Sequence, residues 1–136
     1  MSAERAFLDT NILIYLYSDT DISKREKAAR TIGMYERFVS TQVLSEFSNV
    51  CIRKLKLPAT SAKKAVLEII DICNVVLIDD HTVTSALEYH DKYKYSFYDS
   101  LIITSALESG CQYLFSEDMS DGQLIDGRLA VRNIFK

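Results

Sequence analysis

The sequence predicts an α/β fold, a three-layer sandwich in which helices flank a central parallel sheet of four or five short strands. Short apolar segments typical of strands alternate with longer segments whose apolar residues recur at helical spacing. Such alternation indicates βαβ units, and right-handed crossovers then place helices on both faces of the sheet. The 136 residues contain no repeat or linker, so we expect residues 1–136 to form a single domain.

The predicted elements are separated by residues that end helices, namely Gly33, Pro58 and Gly110. The predicted strands cover residues 5–8, 37–40, 75–78 and 112–116, with a short fifth strand at 129–131. Helices are predicted over residues 10–17, 22–32, 41–55, 62–73, 83–90 and 98–109. The run 75–78 is continuously apolar, which is typical of a strand covered on both faces.

The composition argues against a disordered chain and against a disulfide framework. Hydrophobic residues make up 48% of the chain and charged residues 26%, as in an ordinary globular domain. The three cysteines show no close pair and no CxxC spacing, which favours a reducing cytoplasm over disulfides or zinc. No apolar run approaches the roughly 20 residues that span a bilayer, and no secretory signal is visible, so we expect no membrane association.

Four carboxylates fall at or near the carboxyl ends of predicted strands. Asp9 ends the first strand, and Asp118 follows the fourth. Glu46 lies at the edge of the buried face of the helix that leaves the second strand, and Asp99 lies at the start of the 98–109 helix. Open parallel sheets bind ligands beyond the carboxyl ends of their strands. We therefore expect the four acids to share one crevice.

Each acid also has a purely structural interpretation. Asp9 and Asp99 are placed where helix N-caps occur, Glu46 is compatible with a surface acid, and Asp118 with an Asx turn. Together, however, four carboxylates in one crevice repel one another, and a hard divalent cation with oxygen ligands relieves that repulsion. An all-oxygen set favours Mg²⁺ or Mn²⁺ over zinc. Two neutral side chains that add oxygens are Asn11 and Ser116.

The charge distribution is uneven along the chain. Residues 22–64 contain ten Lys or Arg and three acids, whereas residues 95–127 contain six acids and no Lys or Arg. A basic segment suits a phosphate backbone and an acidic segment suits a cation, although charge runs are also common on solvated faces. Lys54 and Lys56 are the predicted contacts to such a backbone. Asp121 is a further acid for which binding of a metal through water is an alternative, although we favour its interpretation as a loop residue.

The acids stand within motifs that resemble those of the PIN-domain family. The motifs are DTNIL at 9–13, Glu46 on its helix, SFYDSLIITSAL around Asp99, and LFSEDM at 114–119. The resemblance extends over essentially the whole chain with the motifs in family order. The Asp-Thr-Asn opening alone is a modest signal of this family. A more specific signal is the combination of Asp99, its helix of small and aliphatic residues, a glycine, a strand and Ser-Glu-Asp-Met.

The resemblance implies a VapC-like toxin, which is an Mg²⁺- or Mn²⁺-dependent endoribonuclease that hydrolyses single-stranded RNA. It implies that the four acids are catalytic residues and metal ligands, supported by Asn11 and Ser116. The implied reaction is attack of a metal-activated water on a phosphodiester, with Asp9 or Asp99 orienting or deprotonating that water. The resemblance further implies an antitoxin partner and a homodimer.

Three other functions fit parts of the pattern. A phosphohydrolase of the haloacid dehalogenase type would use Asp9 as nucleophile, but such enzymes begin with Asp-x-Asp, and position 11 here is Asn. A catalytically silent RNA- or protein-binding module on the same fold would be marked by a lost acid, and all four acids are present. A DNA nuclease is separated from a ribonuclease by family tendency alone.

Overall fold

The computed structural model describes residues 3–136, in which one sheet of six strands forms the centre. The strands are β1 (Arg5–Leu8), β2 (Glu36–Ser40), β3 (Asn74–Val76), β4 (Tyr113–Phe115), β5 (Leu124–Ile125) and β6 (Leu129–Arg132). Their spatial order is β3-β2-β1-β4-β6-β5, and all neighbours are parallel except β5 and β6. The predicted fold class is confirmed, with six strands in place of four or five.

The strand predicted at 75–78 lies at the edge of the sheet, so the expectation that it is covered on both faces is wrong. Val75 and Val76 are half-buried, and Leu77 is 73% exposed. The fully buried apolar strand is β1, where residues 6–8 have no exposed surface. An apolar run does not distinguish an edge from a centre, because the position of a strand depends on the topology of the whole sheet.

Within residues 3–136, six helices connect the strands and cover the sheet. They are α1 (Thr10–Leu16), α2 (Ile22–Ile32), α3 (Thr41–Arg53), α4 (Ala59–Ile72), α5 (Asp80–Tyr93) and α6 (Phe97–Glu108). Helix α1 packs on α2 and α3, and α3 packs on α4, whereas α5 packs on α6. The chain advances from β1 to β3 and then returns to β4, so right-handed crossovers place these two helix groups on opposite faces.

Helix α6 is buried along most of its length. All residues from 100 to 107 are buried, and the helix contacts both β2 and β4. The hydroxyl groups of Ser100, Thr104 and Ser105 each donate to the backbone carbonyl four residues earlier, so they are satisfied within the helix. This docking holds the first turn of α6, which contains Asp99, at the carboxyl edge of the sheet.

The sequence pattern predicts only one strand of the C-terminal hairpin formed by β5 and β6. Strand β5 has two residues, which is too short for a periodic pattern. The turn consists of Asp126 and Gly127, with φ values of 50° and 66°, a pair that favours a tight hairpin. The Asp126 carboxylate accepts hydrogen bonds from Tyr89, Lys92 and Tyr93, and these bonds hold the hairpin on α5.

The three cysteines are free thiols, in agreement with the expectation that they form no disulfide framework. Cys51 and Cys111 are buried and Cys73 is half-buried. Burial raises the pKa of all three thiol groups, which keeps them protonated near neutral pH. In the part of the chain described, no helix is both long enough and apolar enough to cross a bilayer.

Candidate active site

The carboxyl ends of β1 and β4 meet at a crevice in the middle of the sheet. β2 and β3 lie on one side of β1, whereas β4 and β6 lie on the other. Open α/β sheets bind ligands at this kind of reversal in strand order. Asp9 directly follows β1, and Ser116 and Asp118 follow β4. The backbone N–H of Asp9 donates to the carbonyl of Phe115 at 3.0 Å, which joins the two strand ends.

Asp9 is 6% exposed, and both of its carboxylate oxygens accept hydrogen bonds. Oδ1 accepts from the backbone N–H of Thr10 at 2.7 Å, and Oδ2 accepts from the Ser116 hydroxyl at 2.8 Å. Asp9 is the N-cap of α1, so its structural interpretation and its placement in the crevice both hold. The two hydrogen bonds fix the direction in which the carboxylate faces.

Burial raises the pKa of the Asp9 carboxyl group from 3.8 to about 6. The hydrogen bonds from Ser116 and Thr10 favour the ionised form and limit this rise, while the charges of Asp99 and Asp118 add to it. Residues from β1, α6 and the loop after β4 therefore lie close enough to repel one another. The structure thus brings Asp99 and Asp118 near Asp9, and their sharing of one metal ion stays a prediction.

Asp99 is the third residue of α6, half-buried, and is not the N-cap of this helix. Ser96 is the N-cap, and its hydroxyl accepts a hydrogen bond from the backbone N–H of Asp99 at 3.1 Å. Burial raises the pKa of the Asp99 carboxyl group, and the charge of Asp118 raises it further, against a hydrogen bond to Ser96 that lowers it. The alternative interpretation of Asp99 as a helix cap is therefore wrong.

Glu46 reaches the crevice through Thr10. The Thr10 hydroxyl donates to Oε1 of Glu46 at 2.9 Å, across 36 residues of sequence. Thr10 is the first residue of α1 and is buried beside Asp9, so it connects two of the four acids. The sequence analysis did not single out Thr10. The signal that the sequence offers for Thr10 is its position: a residue with a hydroxyl group directly follows the strand-end acid Asp9, at the start of a predicted helix.

Gln42 links the two helices that contain Glu46 and Asp99. Its amide nitrogen donates to the backbone carbonyl of Tyr98 at 3.0 Å. Gln42 precedes Glu46 by four residues on α3, and Tyr98 precedes Asp99 on α6, so this bond connects the first turns of both helices. Gln42 was also missed in the sequence, where a glutamine one turn before an acid has no special meaning.

Asn11 and Ser116 lie where the sequence predicts supports for the acids. The side-chain amide of Asn11 donates to Oδ2 of Asp118 at 2.6 Å. The Ser116 hydroxyl, besides donating to Asp9, accepts from the backbone N–H groups of Asp118 and Met119, each at 3.3 Å. These contacts shape the loop after β4 and keep Asp118 beside Asp9.

Across residues 3–136, no salt bridge neutralises any of the four acids. An uncompensated cluster of carboxylates with oxygen-rich neighbours has the donor chemistry that Mg²⁺ and Mn²⁺ prefer. In the same described range, no three acidic, histidine or cysteine side chains lie close enough to hold one ion as they stand. The residues thus fit such an ion chemically, and binding it requires some of these side chains to turn toward the others.

The remaining predicted residues lie away from the acids. Asp121 accepts a hydrogen bond from the backbone N–H of Asn133 at 2.8 Å, which makes it a loop-fixing residue. Lys54 caps the C-terminal end of α3 and Lys56 follows in a left-handed conformation with φ of 57°; both are exposed. Along the helix axis, Lys54 lies about 12 Å from Glu46.

The sheet is mainly parallel, and acidic residues lie where its strand order reverses, between β1 and β4. These features define an α/β protein with a ligand crevice at the carboxyl ends of its strands. The sequence profile of the PIN domain matches residues 6–120. The chain therefore belongs to the PIN-domain family, which confirms the resemblance of its motifs. No curated protein sequence matches the chain significantly.

Several solved structures share this fold at low sequence identity. One is the VapC20 toxin of Mycobacterium tuberculosis, described as cleaving the sarcin-ricin loop: TM-score 0.68, 22% identity, 83% of this chain and 91% of that chain covered. Another is a toxin–antitoxin complex from Klebsiella pneumoniae, with TM-score 0.70, 20% identity, and 95% and 97% covered. A third is DNA-bound VapBC from Salmonella typhimurium, with TM-score 0.68, 17% identity, and 94% and 98% covered.

The raised pKa of Asp9 predicts how stability depends on pH when divalent ions are absent. Because the pKa of this carboxyl group is higher in the folded state than in the unfolded state, the free energy of unfolding of the protein falls as pH rises from about 4 to about 6. The rise of the pKa from 3.8 to about 6 corresponds to a loss of about 3 kcal/mol in the free energy of unfolding once the group is ionised. Asp9→Asn keeps a capping side chain, so in EDTA at pH 8 it should unfold with a higher free energy than the parent, by up to about this amount.

The measurement is urea unfolding of parent and variant in EDTA between pH 4 and pH 8, with Asp71→Asn on the exposed side of α4 as control. The advantage of Asp9→Asn should shrink toward pH 4. Added Mg²⁺ should reduce it as well, because ligand binding stabilises the parent in proportion to RT ln(1 + [L]/Kd). Equal pH dependence in parent and variant would show that Asp9 has no unfavourable charge in the folded state.

Proposed function

We propose that this PIN-domain protein is a divalent-metal-dependent endoribonuclease that acts on single-stranded RNA as the toxin of a toxin–antitoxin pair. The main support is the carboxylate of Asp9, which is buried and, within residues 3–136, not neutralised by a salt bridge. Burial raises its pKa, and the charges of Asp99 and Asp118 raise it further. A fold gains no stability from such a cluster, so its presence indicates a positively charged ligand. The similarity in fold to a toxin that cleaves the sarcin-ricin loop supports RNA as substrate.

Asp9, Glu46, Asp99 and Asp118 would hold the ion, with Mg²⁺ or Mn²⁺ as the candidates for an all-oxygen set. When bound, such an ion acidifies an attacking water and offsets negative charge on phosphate oxygens. Asp9 is already oriented by its two hydrogen bonds, so little side-chain freedom is lost on binding. Glu46 is oriented in the same way by the hydroxyl of Thr10.

The attacking water needs a group that orients it and takes its proton. Burial raises the pKa of the carboxyl groups of Asp9 and Asp99, and a base works best when its pKa is near the working pH. Either residue fits this role within the proposed reaction. The hydroxyl of Ser116 remains a hydrogen-bond donor to Asp9 and keeps that carboxylate facing the crevice.

A negatively charged crevice does not attract RNA by itself, so a separate basic surface must capture it. The corner between α3 and α4 contains five cations without an intervening acid: Arg53, Lys54, Lys56, Lys63 and Lys64. All five are exposed. Because Lys54 lies about 12 Å from Glu46 along α3, a strand held at this corner reaches the acids within a few nucleotides. We call these five residues the basic corner.

An apolar groove beside the crevice offers a place for an antitoxin. The groove measures about 750 Å³ and lies between the end of α1 and the helices α3 and α4, with Phe47, Leu55 and Leu57 among its lining residues. Phe47 lies on α3, so the groove runs along the helix that also contains Glu46. A fold relative described as a toxin–antitoxin complex supports an antitoxin as the partner, and the apolar lining of the groove favours an apolar segment of it as the occupant.

The catalytic part of the proposal predicts that cleavage requires a divalent ion and all four acids. Asp9→Asn and Asp99→Asn should each lower kcat by about a hundredfold or more, because several kcal/mol of charge stabilisation are lost. Glu46→Gln and Asp118→Asn should act in the same direction. The assay compares a panel of single-stranded RNA and DNA with Mg²⁺, with Mn²⁺ and with EDTA.

Asp71→Asn serves as the control for an acid-to-amide change on an exposed helix face, and it should cleave like the parent. Full RNA cleavage in excess EDTA would end the metal hypothesis. Cleavage of DNA with RNA left intact would assign the protein to the DNA nucleases. Tight binding of RNA without any cleavage would identify a silent binding module.

The basic corner predicts a salt-dependent affinity for RNA. Lys54→Glu and Lys56→Glu should weaken binding and lower the slope of log K against log salt by roughly one for each lost phosphate contact. The matched control is Lys94→Glu on the opposite side of the fold, because Lys94 is exposed and left-handed like Lys56, with φ of 65°. An unchanged slope in the first two variants would show that the basic corner does not contact RNA.

The groove predicts a partner that binds through apolar contacts. Leu55→Asp should abolish co-purification with any short protein that the neighbouring reading frame encodes. Leu67→Asp is the control, because Leu67 is 54% exposed on α4 and lies outside the groove. Chromatography with light scattering on the same samples tests the expected homodimer. Undiminished capture by Leu55→Asp would place the partner elsewhere.

A further inference from the structure

The loop after β4 turns neighbouring side chains toward different partners. Asp118 faces the crevice and accepts a hydrogen bond from Asn11 at 2.6 Å. Glu117, the residue before it, faces away and accepts from the hydroxyl of Tyr15 at 2.9 Å. Asn11 and Tyr15 are four residues apart on α1, so they lie on one face of this helix. The loop thus runs along α1 with each carboxylate on its own partner.

Lys24 of α2 holds the outward carboxylate. Its ammonium group donates to Oε2 of Glu117 at 2.6 Å and to the hydroxyl of Tyr15 at 3.1 Å. The same ammonium lies 4.5 Å from the ring centroid of Tyr15 and 5.0 Å from that of Phe135. The side chains of Lys24 and Glu117 are 32% and 26% exposed, so this pair is shielded better than an ordinary surface pair.

Glu117 needs such a restraint because it adjoins the acidic cluster. A free carboxylate beside Asp118 would add repulsion in the crevice and would compete with Asp118 for a cation. Lys24 compensates its charge and anchors it on the side of the loop that faces α2. By contrast, Lys27, which also lies in α2, forms no salt bridge within residues 3–136.

We propose that Lys24 is a positioning residue, which anchors Glu117 against Tyr15 and thereby directs Asp118 into the metal-binding crevice. The proposal rests on the metal-dependent function proposed above. It gives the metal site a supporting residue on α2, a helix that contains none of the four acids. Lys24 acts through Glu117 and does not contact the reacting atoms. Changes of comparable supporting residues around metal sites lower metal affinity or activity by roughly tenfold to a hundredfold.

The test measures Mn²⁺ affinity by calorimetry, and kcat and KM for RNA cleavage, in Lys24→Met and Glu117→Ala. Each change should weaken Mn²⁺ binding by roughly tenfold or more and lower kcat with KM nearly unchanged. The double variant should be no worse than either single variant, because both remove the same contact. Glu117→Gln keeps the acceptor oxygen and should retain parental Mn²⁺ affinity, and Lys27→Met is the matched control.

Urea unfolding of each variant selects conditions in which all are folded, and Glu117→Gln tests the anchor even if Lys24→Met is unstable. Parental Mn²⁺ affinity in Lys24→Met and Glu117→Ala overturns the positioning role and leaves the metal site intact. A raised KM with unchanged Mn²⁺ affinity also overturns it, since Lys24 then contacts RNA. Failure of the parent itself to bind Mn²⁺ overturns the proposed function together with this inference.

Discussion

Asp9 places a negative charge in a buried position at the carboxyl end of β1, beside two further acids. Desolvation and the charges of Asp99 and Asp118 raise its pKa to about 6, although two hydrogen bonds favour its ionised form. In the described part of the chain no salt bridge compensates this charge. Burying an uncompensated carboxylate destabilises a fold. The surrounding structure must therefore hold the acids in place against their mutual repulsion.

Several elements share this task by different means. Strand pairing joins the ends of β1 and β4, so the two loops that contain acids start from one rigid edge. Helix α6 is buried along residues 100–107, which fixes its first turn. Thr10 holds Glu46 by a hydrogen bond, and Gln42 connects the first turns of α3 and α6. The acids are thus positioned by polar contacts to neutral groups, which leave their charges available to a cation.

The proposed chemistry and the proposed capture of RNA lie on different surfaces. The acids occupy the sheet edge, whereas the basic corner lies where α3 ends and α4 begins. This separation is physically necessary, because cations next to the acids would neutralise them and compete with a metal ion. Helix α3 connects the two regions, with Glu46 near its start and Lys54 at its end. The apolar groove lies along the same helix, so one element touches the acids, the basic corner and the groove.

The sequence alone determined the alternation of strands and helices and the position of four acids near strand ends, because periodicity and strand-end chemistry are local properties. It also contained the family motifs around Asp9, Asp99 and Asp118. The edge position of β3 and the existence of β5 depended on sheet topology. Likewise, Thr10 meets Glu46 across 36 residues and Lys24 meets Glu117 across 93. Only tertiary structure decides such contacts, because strand order and helix packing bring distant segments together.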